Sequence, residues 1–268
     1  MSHAEYIAEG SRSVSARRSD RMRRILSILQ ERENASLATL SEELNVSSAT
    51  LRRDLAKLDD RGLLVRTHGG ARLLELTTEI PVHLRDSQFR ESKQRIARHV
   101  LTMIPTGRYA VAISGGTTTG EVARMLGTRA DLTVVTNSLS IALECAARPR
   151  LKVIITGGVV RPSSFEAIGS LAENTFHAVN VATAILGTDG ISAAGGATTH
   201  DETEARTNGA MVSTAQRVIV VADGSKVGRI TLARMASLDQ ISDLVTDTSA
   251  DRDELELIAA AGVRVHQV

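Results

Sequence analysis

The sequence predicts an α/β protein in two parts, a winged helix-turn-helix followed by a larger α/β domain on a largely parallel sheet. Three observations predict it. At 268 residues the chain exceeds the usual size of a single domain. Apolar residues recur at helical spacing near the N-terminus, after which strands and helices alternate to the end. Charge is also uneven: Arg12 to Arg72 holds 13 Arg+Lys against 8 Asp+Glu, or +5, and the remainder carries −4 within a net of +1.

Residues 1–17 are rich in Ser, Arg, Ala and Gly without periodicity and read as a flexible arm, either DNA-tracking or a solvated tail. Residues 18–75 form the first module. Met22, Ile25, Leu26 and Leu29 fall at i, i+3, i+4 and i+7 and make one apolar helical face. Ser36 offers an N-cap to a short second helix that turns Leu37, Leu40 and Leu44 inward. Asn45-Val46-Ser47 makes a tight turn, and Ser47 or Ser48 caps a third helix running to about Asp60, with Leu51, Leu55 and Leu58 as its buried stripe. Gly62 ends that helix in the left-handed region. The extended segments Leu63 to Thr67 and Ala71 to Leu74 flank His68-Gly69-Gly70, a hairpin turn that makes a wing.

A linker over residues 76–92, containing Pro81, leads into the second domain, residues 93–268. Its first helix, Glu91 to Met103, carries Ile96, Val100 and Leu101. Strands are predicted at Tyr109 to Ile113, Leu132 to Thr136, Lys152 to Thr156, Val181 to Leu186, Arg217 to Ala222 and Leu244 to Thr246. Helices between most of them are predicted at Gly120 to Leu126, Leu139 to Ala147, Glu202 to Ser213 and Asp253 to Ala260. Such alternation builds a sheet covered on both faces.

The third helix carries the first candidate site. With Leu51, Leu55 and Leu58 inward, Thr50, Arg53 and Lys57 share the opposite face, and Ser47, Ser48 and Arg52 crowd its N-terminal end. In a helix-turn-helix that end enters the major groove, where Arg bridges guanine O6 and N7 while Ser and Thr hold phosphate or base edges. The alternative is a solvated helix on which Arg52 and Arg53 pair with Asp54, Asp59 or Asp60. Arg66 and His68, beside or at the wing tip, are placed to touch phosphate or the minor groove, although His68 is equally readable as a plain turn residue.

The second site follows the first strand of the larger domain. Ser114-Gly115-Gly116-Thr117-Thr118-Thr119-Gly120 joins that strand to a helix, so glycines allow close backbone approach, the helix N-terminus offers N–H groups and threonines add hydroxyls. It is neither a Walker loop nor Gly-x-Gly-x-x-Gly, and it suits a monophosphate. Other strand ends carry Thr136-Asn137-Ser138, Gly157-Gly158, Gly187-Thr188-Asp189-Gly190 and Asp223-Gly224-Ser225-Lys226. In parallel sheets these ends converge on one crevice. There Lys226 supplies positive charge, and Asp189, Asp201 and Glu204 accept hydroxyl hydrogens, which together describe a pocket for a polyhydroxy phosphate. Each turn taken singly is explained by turn chemistry alone.

Composition narrows the function. No run of 18 apolar residues and no signal-peptide pattern occurs, so a cytoplasmic protein without a membrane partner is expected. The lone Cys145, in an apolar run, packs as a small hydrophobe. With no Trp, two Tyr and three Phe, no aromatic platform for single strands is available. No metal site, organic cofactor or catalytic residue is expected.

Six segments together resemble the DeoR family of bacterial transcriptional regulators. They are Ser47 to Leu55, Arg66-Thr67-His68-Gly69-Gly70-Ala71, Gly115 to Thr119, Val134 to Ser138, Gly187 to Ile191, and Ala222 to Lys226, in the family's order from about Asp20 onward. The resemblance implies a winged helix that binds double-stranded operator DNA, usually as a repressor. It also implies an α/β sensor domain resembling ribose-5-phosphate isomerase in fold, which binds a phosphorylated sugar, and a homo-oligomeric assembly. The family's phosphate loop falls on Gly115 to Thr119, and its effector pocket on Thr136 to Ser138, Gly187, Asp189, Asp201, Glu204 and Lys226. The isomerases carry lysine before their glycine run, where this chain has Ala194 before Gly195-Gly196, which implies binding without turnover. Gly224 stands where serine is common in the family. Two other readings remain: a sugar-phosphate isomerase-like enzyme using Asp189 and Glu204 as acid and base, and a constitutive DNA-binding protein whose second domain only oligomerises.

Overall fold

Leucine spacing builds the first unit in the computed structural model, which describes residues 3–73, 81–85 and 89–268. The chain divides into two units, residues 1–88 and 89–268. In the first, helix α1 (His3–Arg32) buries Met22, Ile25, Leu26 and Leu29. Its backbone is helical from His3, through a stretch that shows no apolar periodicity. Ala, Glu and Arg in that stretch are good helix formers even without an apolar stripe. Strand β1 (Asn34–Ser36) precedes α2 (Leu37–Leu44), which Ser36 caps by accepting from the Thr39 N–H at 3.0 Å. Asn45, left-handed at φ 50°, turns the chain into α3 (Ser48–Asp60), capped by Ser47. Leu40, Leu44, Leu51, Leu55 and Leu58 close this core.

The wing strands β2 (Leu64–Thr67) and β3 (Gly70–Leu73) pair antiparallel, and β1 adds to β3 as a third strand. That addition was not predicted, since three residues carry no legible alternation. It needs glycine at position 70, because a Cβ there would stand 2.2 Å from the Ala35 carbonyl oxygen. The short helix α4 (Val82–Arg85) returns Leu84 to the core. Leu74 and linker residues 75–80 and 86–88 lie outside the described residues.

In the second unit α5 (Arg90–Met103) leads into β4 (Tyr109–Ile113), α6 (Thr117–Leu126), β5 (Leu132–Thr136), α7 (Leu139–Ala146) and β6 (Leu151–Ile155). A hairpin β7 (Val159–Arg161) and β8 (Glu166–Ile168), helix α8 (Ser170–His177) and β9 (Val181–Gly187) follow. Next come β10 (Gly190–Ser192), β11 (Gly196–Thr199), α9 (Glu202–Ser213), β12 (Ala215–Val221), β13 (Ala233–Ala236), β14 (Asp243–Thr246), α10 (Arg252–Ala260) and β15 (Arg264–Gln267). Seven strands make one parallel sheet in the order β15-β14-β12-β9-β4-β5-β6.

Strand alternation fills both faces. Val111 and Ile113 join Ile96, Val100, Val122 and Cys145 on one side, while Ala112 joins Phe176, Met211 and Ile258 on the other. Burial pushes the Cys145 thiol up to about 11, with Glu144 adding to it, which fits an inert packing role. The six predicted strands fall in this sheet. Both hairpin systems, α8 and the closing strand β15 went unpredicted, because short strands between glycine-rich turns show no period.

Candidate DNA interface and effector crevice

Acid and base are segregated around α3. Asp54, 1% exposed, accepts from the Arg18 side chain at 3.0 Å and from Arg21 at 2.5 Å, both on α1. The only carboxylate in the middle of α3 is therefore committed to α1. Arg52, Arg53, Lys57, Ser47 and Ser48 are exposed and Thr50 half-buried, its N–H donating to Ser47 Oγ at 3.3 Å to cap the helix. Among the described residues neither Arg52 nor Arg53 makes an ion pair with Asp54, Asp59 or Asp60, which removes the reading of an internally neutralised helix. Arg66 and His68 are exposed on the wing. Arg52 and Arg66 both line a cavity of about 120 Å³ between α3 and the wing, so two cations converge on one cleft. That is the charge distribution a phosphate backbone requires.

In the second unit, the loops at the C-terminal strand ends do converge. The Gly187 N–H donates to Ser114 Oγ at 2.9 Å, the Ala167 N–H to the Asn137 carbonyl at 2.7 Å, and Asn137 Nδ2 to Asn208 Oδ1 at 3.3 Å. Gly116, at φ 129°, starts α6 with a backbone conformation that L side chains rarely adopt. Thr117 is partly exposed at that terminus and Thr118 and Thr119 are buried, the Thr119 hydroxyl donating to the Gly116 carbonyl at 3.1 Å.

One polar chain links the predicted charged residues. Lys226 Nζ sits 3.2 Å from Asp189 Oδ1, and Asp189 Oδ2 accepts from the Thr199 hydroxyl at 3.1 Å. That hydroxyl lies 2.8 Å from Glu204 Oε1, while Glu204 Oε2 and Asp201 Oδ2 meet the Arg161 guanidinium at 3.3 and 3.2 Å. Asp201 also caps α9 by accepting from the Glu204 N–H at 2.8 Å. The cations thus already have carboxylate partners. An incoming anion has to exchange with a carboxylate rather than meet a bare charge.

Some predicted residues serve the scaffold instead. Thr136 is fully buried, and its hydroxyl donates to the Ile113 carbonyl at 2.6 Å while accepting from the Ser138 N–H at 3.1 Å. Both bonds tie the turn after β5 to β4. Ser138 caps α7, and Gly187 is required because a Cβ would stand 2.9 Å from the Gly115 carbonyl oxygen. Two residues were missed. Arg161 is the only Lys or Arg between Lys152 and Arg206, three positions past the Gly157-Gly158 turn, a signal the sequence did contain. Glu166, 2% exposed, places Oε1 2.6 Å from the Gly115 nitrogen, and no local motif marked it. A larger open groove of about 650 Å³, lined by Arg108, Asp131, Arg150 and Lys152, lies at the opposite, N-terminal strand ends and holds none of the predicted effector residues.

Comparison with known proteins decides the family. The DeoR-like helix-turn-helix domain model matches residues 21–77, and the DeoR C terminal sensor domain model matches residues 88–248. The chain belongs to the DeoR family of transcriptional regulators. Among DeoR-type relatives, the HTH-type transcriptional regulator GlpR of Haloferax volcanii is 37% identical over 247 residues, 92% of this chain and 96% of its own. The glycerol-3-phosphate regulon repressor of Escherichia coli is 34% identical over 73% of this chain and 77% of its own. The transcriptional repressor AccR of Agrobacterium fabrum is 34% identical over 89% and 93%. A solved D-ribose-5-phosphate isomerase in complex with phospho-erythronic acid overlaps 51% of this chain and 53% of its own, at 17% identity and a TM-score of 0.38. The assignment to the DeoR family rests on the domain models and the relatives. No helix among the described residues is long and apolar enough to cross a membrane.

Proposed function

We propose that this DeoR-family chain represses carbohydrate-metabolism genes and is released from its operator by a phosphorylated sugar bound in the second unit. The observation that carries this reading is the contrast between cations on α3 and the wing that are exposed and, among the described residues, unpaired, and carboxylate-balanced cations in the crevice. In the reading, Gly115, Gly116, Thr117, Thr118 and Thr119 take the phosphate at the α6 N-terminus, Lys226 exchanges Asp189 for it, and Asp189, Asp201 and Glu204 accept sugar hydroxyls. Relatives whose names are a glycerol-3-phosphate regulon repressor and a GlpR regulator support it.

The chain acts as a homo-oligomer whose paired recognition helices read repeated half-sites, in the cytoplasm and without enzymatic turnover, metal or organic cofactor. Release requires that the effector prefer the weakly DNA-binding conformation, and reciprocity then makes DNA weaken effector binding by the same factor.

Thermal denaturation against a panel of phosphorylated and unphosphorylated sugars tests the reading, because a ligand of the folded state raises the midpoint. One phosphorylated sugar is expected to shift wild type, to lose that shift in Lys226→Ala, and to release operator DNA in a gel-shift titration. A shift without release of DNA, or no shift by any phosphorylated sugar, would sink it.

A further inference from the structure

Glu166 occupies the loop that the proposed function reserves for an anion. Its Oε1 takes the Gly115 N–H at 2.6 Å, the first N–H of the Gly115–Thr119 run. Gly115 is built to admit it. Its φ lies outside the positive region, so the backbone does not demand glycine, yet a Cβ there would stand 2.5 Å from Glu166 Cγ and Cδ. The missing side chain is the space the carboxylate fills.

The backbone under Glu166 is equally fixed. The Leu139 N–H donates to the Phe165 carbonyl at 3.0 Å and the Ala167 N–H to the Asn137 carbonyl at 2.7 Å, which ties the start of β8 to the turn after β5. Around the carboxyl stand Asn137, Asn208 and Ser164. Burial pushes the Glu166 carboxyl above its ordinary value, and the hydrogen bond from the Gly115 N–H works against that rise. Asn137 Oδ1 is buried without a hydrogen-bond partner among the described residues, so the polar cluster is not saturated in this state. Directly across the hairpin, Arg161 is the register partner of Glu166, and its guanidinium reaches Asp201 and Glu204 at the start of α9.

We infer that Glu166 is the internal ligand of the anion loop, holding the Gly115 N–H in the effector-free chain and leaving it when a phosphate enters. A single N–H donates one strong bond, and two anions crowded onto one helix N-terminus repel each other, so carboxylate and phosphate exclude one another. The inference rests on reading Gly115–Thr119 as the anion loop.

Inorganic phosphate is the probe, titrated into wild type, Glu166→Ala and Glu166→Gln by calorimetry with melting midpoints recorded. Glu166→Ala is expected to bind phosphate at least about tenfold more tightly than wild type. Glu166→Gln falls between them, since its amide oxygen still accepts from Gly115 but carries no charge. Equal or weaker phosphate binding by the alanine variant, or no phosphate binding by any of the three chains, overturns the inference. If the alanine variant does not fold, the glutamine variant decides, a gain supporting and equality overturning. A phosphate series in the expected order with no sugar phosphate bound would leave this inference standing while removing the sugar effector. A sugar phosphate bound equally by all three chains would do the reverse.

Discussion

The two units handle positive charge in opposite ways. On α3 and the wing, Arg52, Arg53, Lys57 and Arg66 are exposed, while the nearby acid Asp54 is buried beneath Arg18 and Arg21. In the crevice, Arg161 and Lys226 are largely covered and already bonded to Asp201, Glu204 and Asp189. The difference fits the two ligands of the proposed function. A polyanionic duplex is met from solvent and rewards cations that are charged and accessible before contact. A small effector is enclosed, and a bare cation waiting in an enclosed site would be unstable without a resident counter-ion. Exposed charge suits attraction at a distance, and internally balanced charge suits a site that responds by exchanging partners.

The largest expected effect breaks a balanced cluster in the second unit. Asp243 is fully buried and bonded to Arg217 at 2.8 Å, Arg264 at 2.9 Å and His266 at 2.9 Å. Burial alone would raise its carboxyl, yet the bonds from Arg264, Arg217 and His266 hold it well below the usual range. A carboxyl depressed by folding adds stability above its unfolded value, about 4, and that contribution fades as the pH falls further. Asp243→Asn should cost about 3–5 kcal/mol near pH 7 by urea denaturation, with a smaller difference from wild type below about pH 3. An unchanged midpoint would mean that the cluster is incidental.

In the first unit, Asp54→Asn should cost less, about 2–3 kcal/mol, because its partners Arg18 and Arg21 remain 34% and 20% exposed and can be solvated. Its unfolding transition, followed by circular dichroism, would show this, and DNA binding should weaken with it. By contrast Arg53→Ala and Arg52→Ala should leave the melting midpoint in place. Each should weaken operator binding by about 1–3 kcal/mol, roughly 5- to 150-fold, in a fluorescence titration. If either variant melted earlier instead, the charges would belong to the scaffold and the comparison would fail. The smallest effect is steric: Gly115→Ala should destabilise by about 1–2 kcal/mol through the collision with Glu166, and combining it with Glu166→Ala should recover most of the loss. Additive losses in that double-mutant cycle would show that the two side chains do not meet.

Much of the first unit was legible. Ser36, Asn45, Ser47 and the leucine stripe act within a few residues of one another, so caps, turn and buried face all follow from spacing. The parallel strands were legible because each is an apolar run between turn residues. The site was legible as a set of loops but not as a set of bonds. Glu166 carries no local motif, and its partner Gly115 stands 51 residues earlier. Nothing in Thr136-Asn137-Ser138 announces that the Thr136 hydroxyl donates to the Ile113 carbonyl, 23 residues earlier.

By itself the sequence determines the three-helix-and-wing module, six strands of the parallel sheet, the exposed basic face of α3 and the family, since these rest on periodicity, capping and short motifs. Only the tertiary structure decides which charges are spoken for. Arg21 and Asp54 are 33 residues apart, and Lys226 and Asp189 are 37 apart. The physical reason is that an ion pair depends on distance in space and on local burial, and neither quantity is written in the spacing of residues along a chain.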